Sequence, residues 1–133
     1  MTGREYRGDG NVDCSAAKIV GAFLDKKSRA PIHQLAKSSS IWERRIAIMA
    51  TGWFIRKGEF PDTLEIAKTL LGDREDLIHK AVGWMLREVG NRDRATEEKF
   101  LRANYRQMPR TMLRYAIEKF PEGKRQRYLK GIA

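Results

Sequence analysis

The residues of this chain that could do chemistry gather on two amphipathic helices and in one short segment ahead of them. Trp84 falls at the edge of an apolar helical face, with Lys80 four residues before it and Arg87 three after. At about 100° per residue both cations stand beside the indole. A tryptophan between two cations suits a nucleic-acid contact, and equally an indole packed on a neighbouring helix beneath two long basic stems. Arg45 lies inside the broad apolar face formed by Trp42, Ile46, Met49 and Trp53, whereas Arg44 points outward. A guanidinium on such a face must meet an anion, either a carboxylate of the protein or a bound phosphate. Asp13 stands near the start of the ordered chain, followed by small residues, and reads as a candidate reactive carboxylate or as a helix N-cap.

Other chemistries lack their residues. His33 and His79 lie on different helices with no third ligand and no triad pattern, so neither a metal nor catalysis is assigned to them and no cofactor is expected. Phosphate-cradling glycine loops and nucleophile elbows are missing. Cys14 is the single cysteine, which rules out an internal disulfide and fits a reducing, cytoplasmic compartment. With 27 Lys and Arg against 17 Asp and Glu, a formal charge of +10, the long-range field attracts polyanions, nucleic acid before an acidic membrane. No run of about 18 apolar residues marks a membrane span, and no membrane partner is expected.

Helices must position these side chains. Residues 1–11 hold three glycines and no apolar period, and read as a flexible lead. From residue 12 to 133 a single domain is expected, of about eight helices joined by short Gly, Pro or Ser turns: all-α. The first helix is capped by Asp13-Cys14-Ser15, and a short one opens at Pro31. A long one runs from Ile41, capped by the serines before it, to Lys57. The next opens at Pro61, and another holds Asp76 in its first turn and ends at Gly90-Asn91. Three more open at Thr96, at Pro109 and at Pro121. Arg45, Lys80 and Arg114 each precede small or apolar residues at spacings of 35 and 34. That period matches stacked helical hairpins of an α-solenoid, which would set these helices in parallel along a curved basic wall; an irregular bundle is the alternative.

At this point the motifs carry a resemblance. Val12-Asp13 with Lys18-Ile19-Val20-Gly21, then Trp42-Glu43-Arg44-Arg45-Ile46-Ala47-Ile48, Phe54-Ile55-Arg56-Lys57-Gly58, the run from Asp76 through Trp84-Met85-Leu86-Arg87-Glu88 to Gly90, and Met108-Pro109-Arg110-Thr111-Met112-Leu113-Arg114-Tyr115-Ala116 together resemble the C-terminal half of the DNA alkylation repair family, the alkylpurine DNA glycosylases built from HEAT-like repeats. The resemblance implies a superhelical stack holding duplex DNA on its concave face, and hydrolytic removal of N3- or N7-alkylated purines. It assigns the catalytic carboxylate to Asp13, a DNA-contacting arginine to Arg45 and the lesion-packing tryptophan to Trp84. Arg44, Lys80, Arg87, Arg110 and Arg114 complete the expected DNA-binding set. The family's second aromatic wall falls at Asp9 and is missing here. The family's N-terminal repeats are missing too, which implies an apolar edge at the first helix suited to a homodimer; a truncated, non-catalytic interaction module is therefore the alternative function.

Overall fold

The computed structural model describes residues 11–133, with side chains from Ser15 onward. Eight α-helices and one 3₁₀ turn follow in order: α1 Asn11–Phe23, α2 Ala30–Leu35, α3 Ile41–Ile55, α4 Pro61–Thr69, α5 Asp76–Arg92, α6 Arg94–Asn104, the 3₁₀ turn Tyr105–Gln107, α7 Arg110–Ala116 and α8 Glu122–Leu129. No strand occurs among the described residues, so the protein is all-α. None of these helices is long and apolar enough to cross a membrane.

The odd-numbered helices form a row in which α1 packs on α3, α3 on α5 and α5 on α7, while α2, α4, α6 and α8 pack back against that row. Contacts between neighbours recur at nearly constant separation: Lys57 with Asp25 across 32 residues, Arg45 with Leu77 across 32, Arg87 with Glu118 across 31. Further along the same pairs, Gly21 meets Ala50 and Trp53, Gly52 meets Met85, and Gly83 meets Met112 and Tyr115. Contacts at both ends of each pair with similar offsets, 29 to 33 residues, mean that the four helices run in the same direction. Among the residues sealing the row are Ile48, Phe54, Ile78, Leu86 and Met112, all fully buried. Two glycines set how closely the row packs. A Cβ on Gly21 would stand 2.8 Å from the Ala50 carbonyl oxygen, and one on Gly83 2.5 Å from that of Met112. Backbones this close exclude a side chain between them.

The other helices are joined to one another mainly by charge. Arg29, at the head of α2, lies over the Phe54 ring at 3.7 Å and pairs with Asp62 at 2.9 Å and Glu59 at 2.7 Å. His33 Nε2 lies 2.9 Å from the same Asp62. Burial opposes ionisation of Asp62, but hydrogen bonding to His33 and Arg29 holds its carboxyl below the usual range. His33 thus ties α2 to α4. Lys124 and the Tyr128 hydroxyl both meet Glu98, tying α8 to α6.

Several boundaries depart from the sequence reading. Asp13 lies within the described span of α1 and not at a cap position. α5 runs through Gly90-Asn91 to Arg92 because Gly90 is buried against Glu97 of α6; the stop is Asp93, whose carboxylate accepts the Thr96 N–H and caps α6. Pro109 and Pro121 sit at N-cap positions, one residue ahead of α7 and α8. α7 closes at Ala116, four residues short of Phe120. The Ser40 cap is as the sequence implies, its hydroxyl accepting from the Glu43 N–H.

Candidate functional site

The repeating offset decides where each candidate side chain goes. The basic residues recur every 34 or 35 positions, whereas facing positions in the row recur every 29 to 33, so Arg45, Lys80 and Arg114 do not occupy equivalent places. Arg45 is 3% exposed, and its guanidinium donates to the Leu77 carbonyl at 3.3 Å as one of its contacts. Lys80, three residues past that facing position, turns to the surface and pairs with Asp76 at 3.3 Å. Arg114 is exposed.

Two of the expected cations pair with carboxylates of other elements, Arg44 in the interior and Arg87 at the surface. Arg44, read as pointing outward, bends onto Asp73 with Nε 2.7 Å from Oδ2, and also donates to the Ser38 carbonyl at 3.1 Å. The Asp73 side chain is only 6% exposed, so the pair is shielded from water and closes the α3–α5 junction. Arg44→Gln should therefore cost about 2–3 kcal/mol by leaving a buried carboxylate without its cation, while Arg114→Gln should stay within about 0.5 kcal/mol. Urea unfolding of both variants checks this; equal small losses would mean that the pair contributes nothing. Arg87 is likewise held by Glu118 beyond α7. Arg110 is exposed and donates to the Leu129 carbonyl at 2.6 Å.

Trp84 lines a cleft of about 210 Å³ formed by α1, α3 and α5. Its apolar walls include Met49, Trp53, Trp84 and Met85, and its charged lining among the described residues is Lys18, Arg56 and Glu88. Residues 45, 49, 52, 53 and 56 fall on one face of α3, so the buried Arg45 lies on the same face as the cleft, two turns before Trp53. On α1, Ala17 lines the cleft, and the backbone of Asp13 is one helical turn ahead of it, about 6 Å along the axis. The side chain of Asp13 lies outside the described residues, as do Asp9 and the 1–11 lead apart from the α1 residue Asn11.

Sequence reasoning placed Trp53 on the apolar face of α3, where it packs against the core, and assigned no site role to it, Glu88, Lys18 or Arg56. The signal was available in the four-residue spacing of Trp84 and Glu88 and in the Met49, Trp53, Arg56 series, which mark one face of each helix. Trp42 departs in the other direction: grouped with the apolar face of α3, it is 53% exposed in the first turn. No group of His, Cys, Asp and Glu capable of holding a metal occurs among the described residues.

The family profile described as DNA alkylation repair enzyme matches residues 10–120. Searches among curated proteins and among solved structures gave no match. The profile match takes in α1 through α7 and every residue of the cleft, and by it the chain belongs to the DNA alkylation repair enzyme family.

Proposed function

We propose that this protein binds duplex DNA along the row α1, α3, α5 and α7, arranged as a HEAT-like superhelical stack, and hydrolyses the glycosidic bond of N3- or N7-alkylated purines. The observation that supports this best is the aromatic, basic cleft holding Trp84, one helical turn from the backbone of Asp13. In such a reaction water adds to C1′ of the sugar while the C1′–N bond breaks. The bond's electron pair goes to the base, which leaves neutral because the alkylated ring was cationic. Asp13 stabilises the oxocarbenium character developing on the sugar and accepts the proton that the water loses. The charged leaving group removes the need for a strong general acid.

Release of methylated purines from alkylated duplex DNA tests the reading. The parent protein is expected to release them and Asp13→Asn to slow release by about 10²–10³-fold; no release by the folded parent overturns it. DNA affinity should fall about 10²–10³-fold between roughly 50 and 200 mM salt, as four to six neutralised phosphates require. A second reading is favoured by Ile19 and Phe23, 70% and 67% exposed on α1. Apolar side chains left open at the end of a stacked row suit self-association. A dimer by light scattering that Phe23→Glu disperses, with no base release from either form, would make the protein a dimeric interaction module.

A further inference from the structure

The helices behind the row are bridged by charge, with one gap. Arg29 and His33 tie α2 to α4 through Asp62, and Lys124 and Tyr128 tie α8 to α6 through Glu98. Between α4 and α6 no hydrogen bond or ion pair occurs among the described residues, although each packs on α5. They leave a groove of about 520 Å³ between them. Leu64 of α4 with Phe100 and Ala103 of α6 supply its apolar surface, and Lys68 and Lys99 stand one on each wall. None of these residues lines the cleft of Trp84, so the groove stays open whatever occupies that cleft.

The walls specify an occupant. An apolar trough between two helices receives a third helix through side chains spaced i, i+3 or i+4 and i+7. A duplex backbone has no such ridge and would leave Leu64 and Phe100 uncovered. Both lysine ammonium groups are exposed and pair with no carboxylate among the described residues, while their stems extend the apolar walls. Glu65, the one carboxylate among the described lining residues, lies 3.8 Å from His33 Nδ1 and leans toward α2. Such walls favour an incoming helix whose apolar ridge is flanked by carboxylates. A second copy of this chain is a poor match. Its exposed apolar ridge, Ile19 and Phe23 on α1, is bordered by Lys18, Lys26 and Lys27, and would set lysine against lysine.

We propose that the α4–α6 groove docks an acidic amphipathic helix of another protein, its apolar ridge on Leu64, Phe100 and Ala103 and its carboxylates on Lys68 and Lys99. Docking there leaves the row α1, α3, α5 and α7 uncovered, and it depends on neither DNA binding nor base release.

The test is fluorescence anisotropy of a labelled synthetic helix, with leucines at i, i+4 and i+7 between flanking glutamates, titrated with this chain at about physiological salt. Saturable binding is expected. A peptide with lysines in place of the glutamates should not bind, and a scrambled acidic peptide should bind at least about tenfold more weakly. Reversing both groove charges, Lys68→Glu with Lys99→Glu, should weaken the acidic helix about tenfold or more. The same charge change elsewhere, Lys119→Glu with Lys130→Glu, should cost less than about threefold. Ala103→Arg adds a cation while filling the groove, so a loss of about tenfold there separates docking from general attraction to a basic chain. All five positions are exposed, and thermal melts establish that each variant is folded. No saturable binding, equal losses in the two double variants, or tighter binding by Ala103→Arg would each overturn the proposal. Affinity for duplex DNA that falls more in the Lys68 and Lys99 variant than in the Lys119 and Lys130 variant would assign the groove to DNA, and a dimer dispersed by Ala103→Arg would assign it to a second copy; either result overturns the proposal as well.

Discussion

Gly83→Ala is expected to destabilise the protein by about 3 kcal/mol, lowering the melting temperature by roughly 10 °C. A Cβ at this position meets the Met112 carbonyl oxygen and the Tyr115 Cβ, each at 2.5 Å. Neither neighbour is the free end of a flexible side chain, so α7 as a whole must move away from α5. The favourable change in helix propensity, at most about 1 kcal/mol, is too small to compensate. Gly52 on α3 is the matched control. Its nearest neighbour is the Met85 sulfur at 3.5 Å, an ordinary contact, so Gly52→Ala should be neutral or gain up to about 1 kcal/mol from propensity alone. Thermal and urea unfolding of the two variants measure both. A loss at Gly52 as large as that at Gly83 would mean that α3 and α5 also pack backbone to backbone.

The second large effect concerns Glu97. This residue is 1% exposed at the α5–α6 junction, and its Oε2 has no hydrogen-bond partner among the described residues. Burial pushes its carboxyl up to about 8; the charges of Arg94 and Arg87 act against that shift, and that of Glu98 adds to it. In the unfolded chain the same group ionises near its ordinary value of about 4.3. Between those two values the folded protein holds a proton that the unfolded chain has released, so stability falls as pH rises through the window. The limiting slope for one group is about 1.4 kcal/mol per pH unit. Below the lower value both states are protonated and the effect vanishes. Glu97→Gln keeps the shape and removes the titration. The variant should match the parent near pH 4 and exceed it by about 4–5 kcal/mol at pH 8. Unfolding at a series of pH values checks it, and parallel profiles for parent and variant would show that Glu97 carries no such linkage.

Both effects arise at contacts that single-helix reasoning cannot register. Gly90-Asn91 was read as a helix end because glycine commonly ends one, yet Gly90 is a mid-helix gap filled by Glu97. Glu97 follows Thr96, where the sequence opens a helix, and nothing local sets it apart from an ordinary acidic residue of a first turn. Its burial depends on α5 covering it, which no local pattern encodes. Arg44 shows the same limit. The helical wheel placed it outward, and only the position of Asp73, 29 residues later and beyond an intervening helix, turned it into a buried partner.

What the sequence determined by itself is the set of quantities that depend on neighbours along the chain. Apolar periods of three and four residues, Ser40 ahead of Glu43, and prolines at helix starts are enough to specify the helices and their order. The motif set was also sufficient for the family, and the composition for the strong positive charge. Tertiary structure decided the stacking offset, and with it which side chains share a cleft. A repeat of 34 or 35 in residue type and one centred near 31 or 32, from 29 to 33, in facing position differ by nearly one helical turn. That turn buries Arg45 and leaves Lys80 at the surface. The offset is set where backbones touch, at Gly21 on Ala50 and Gly83 on Met112, because close-packed helices can approach only where side chains leave room. Trp53, Trp84 and Glu88 come together as a result of those contacts, which is why their association was not visible in the spacing of any one helix.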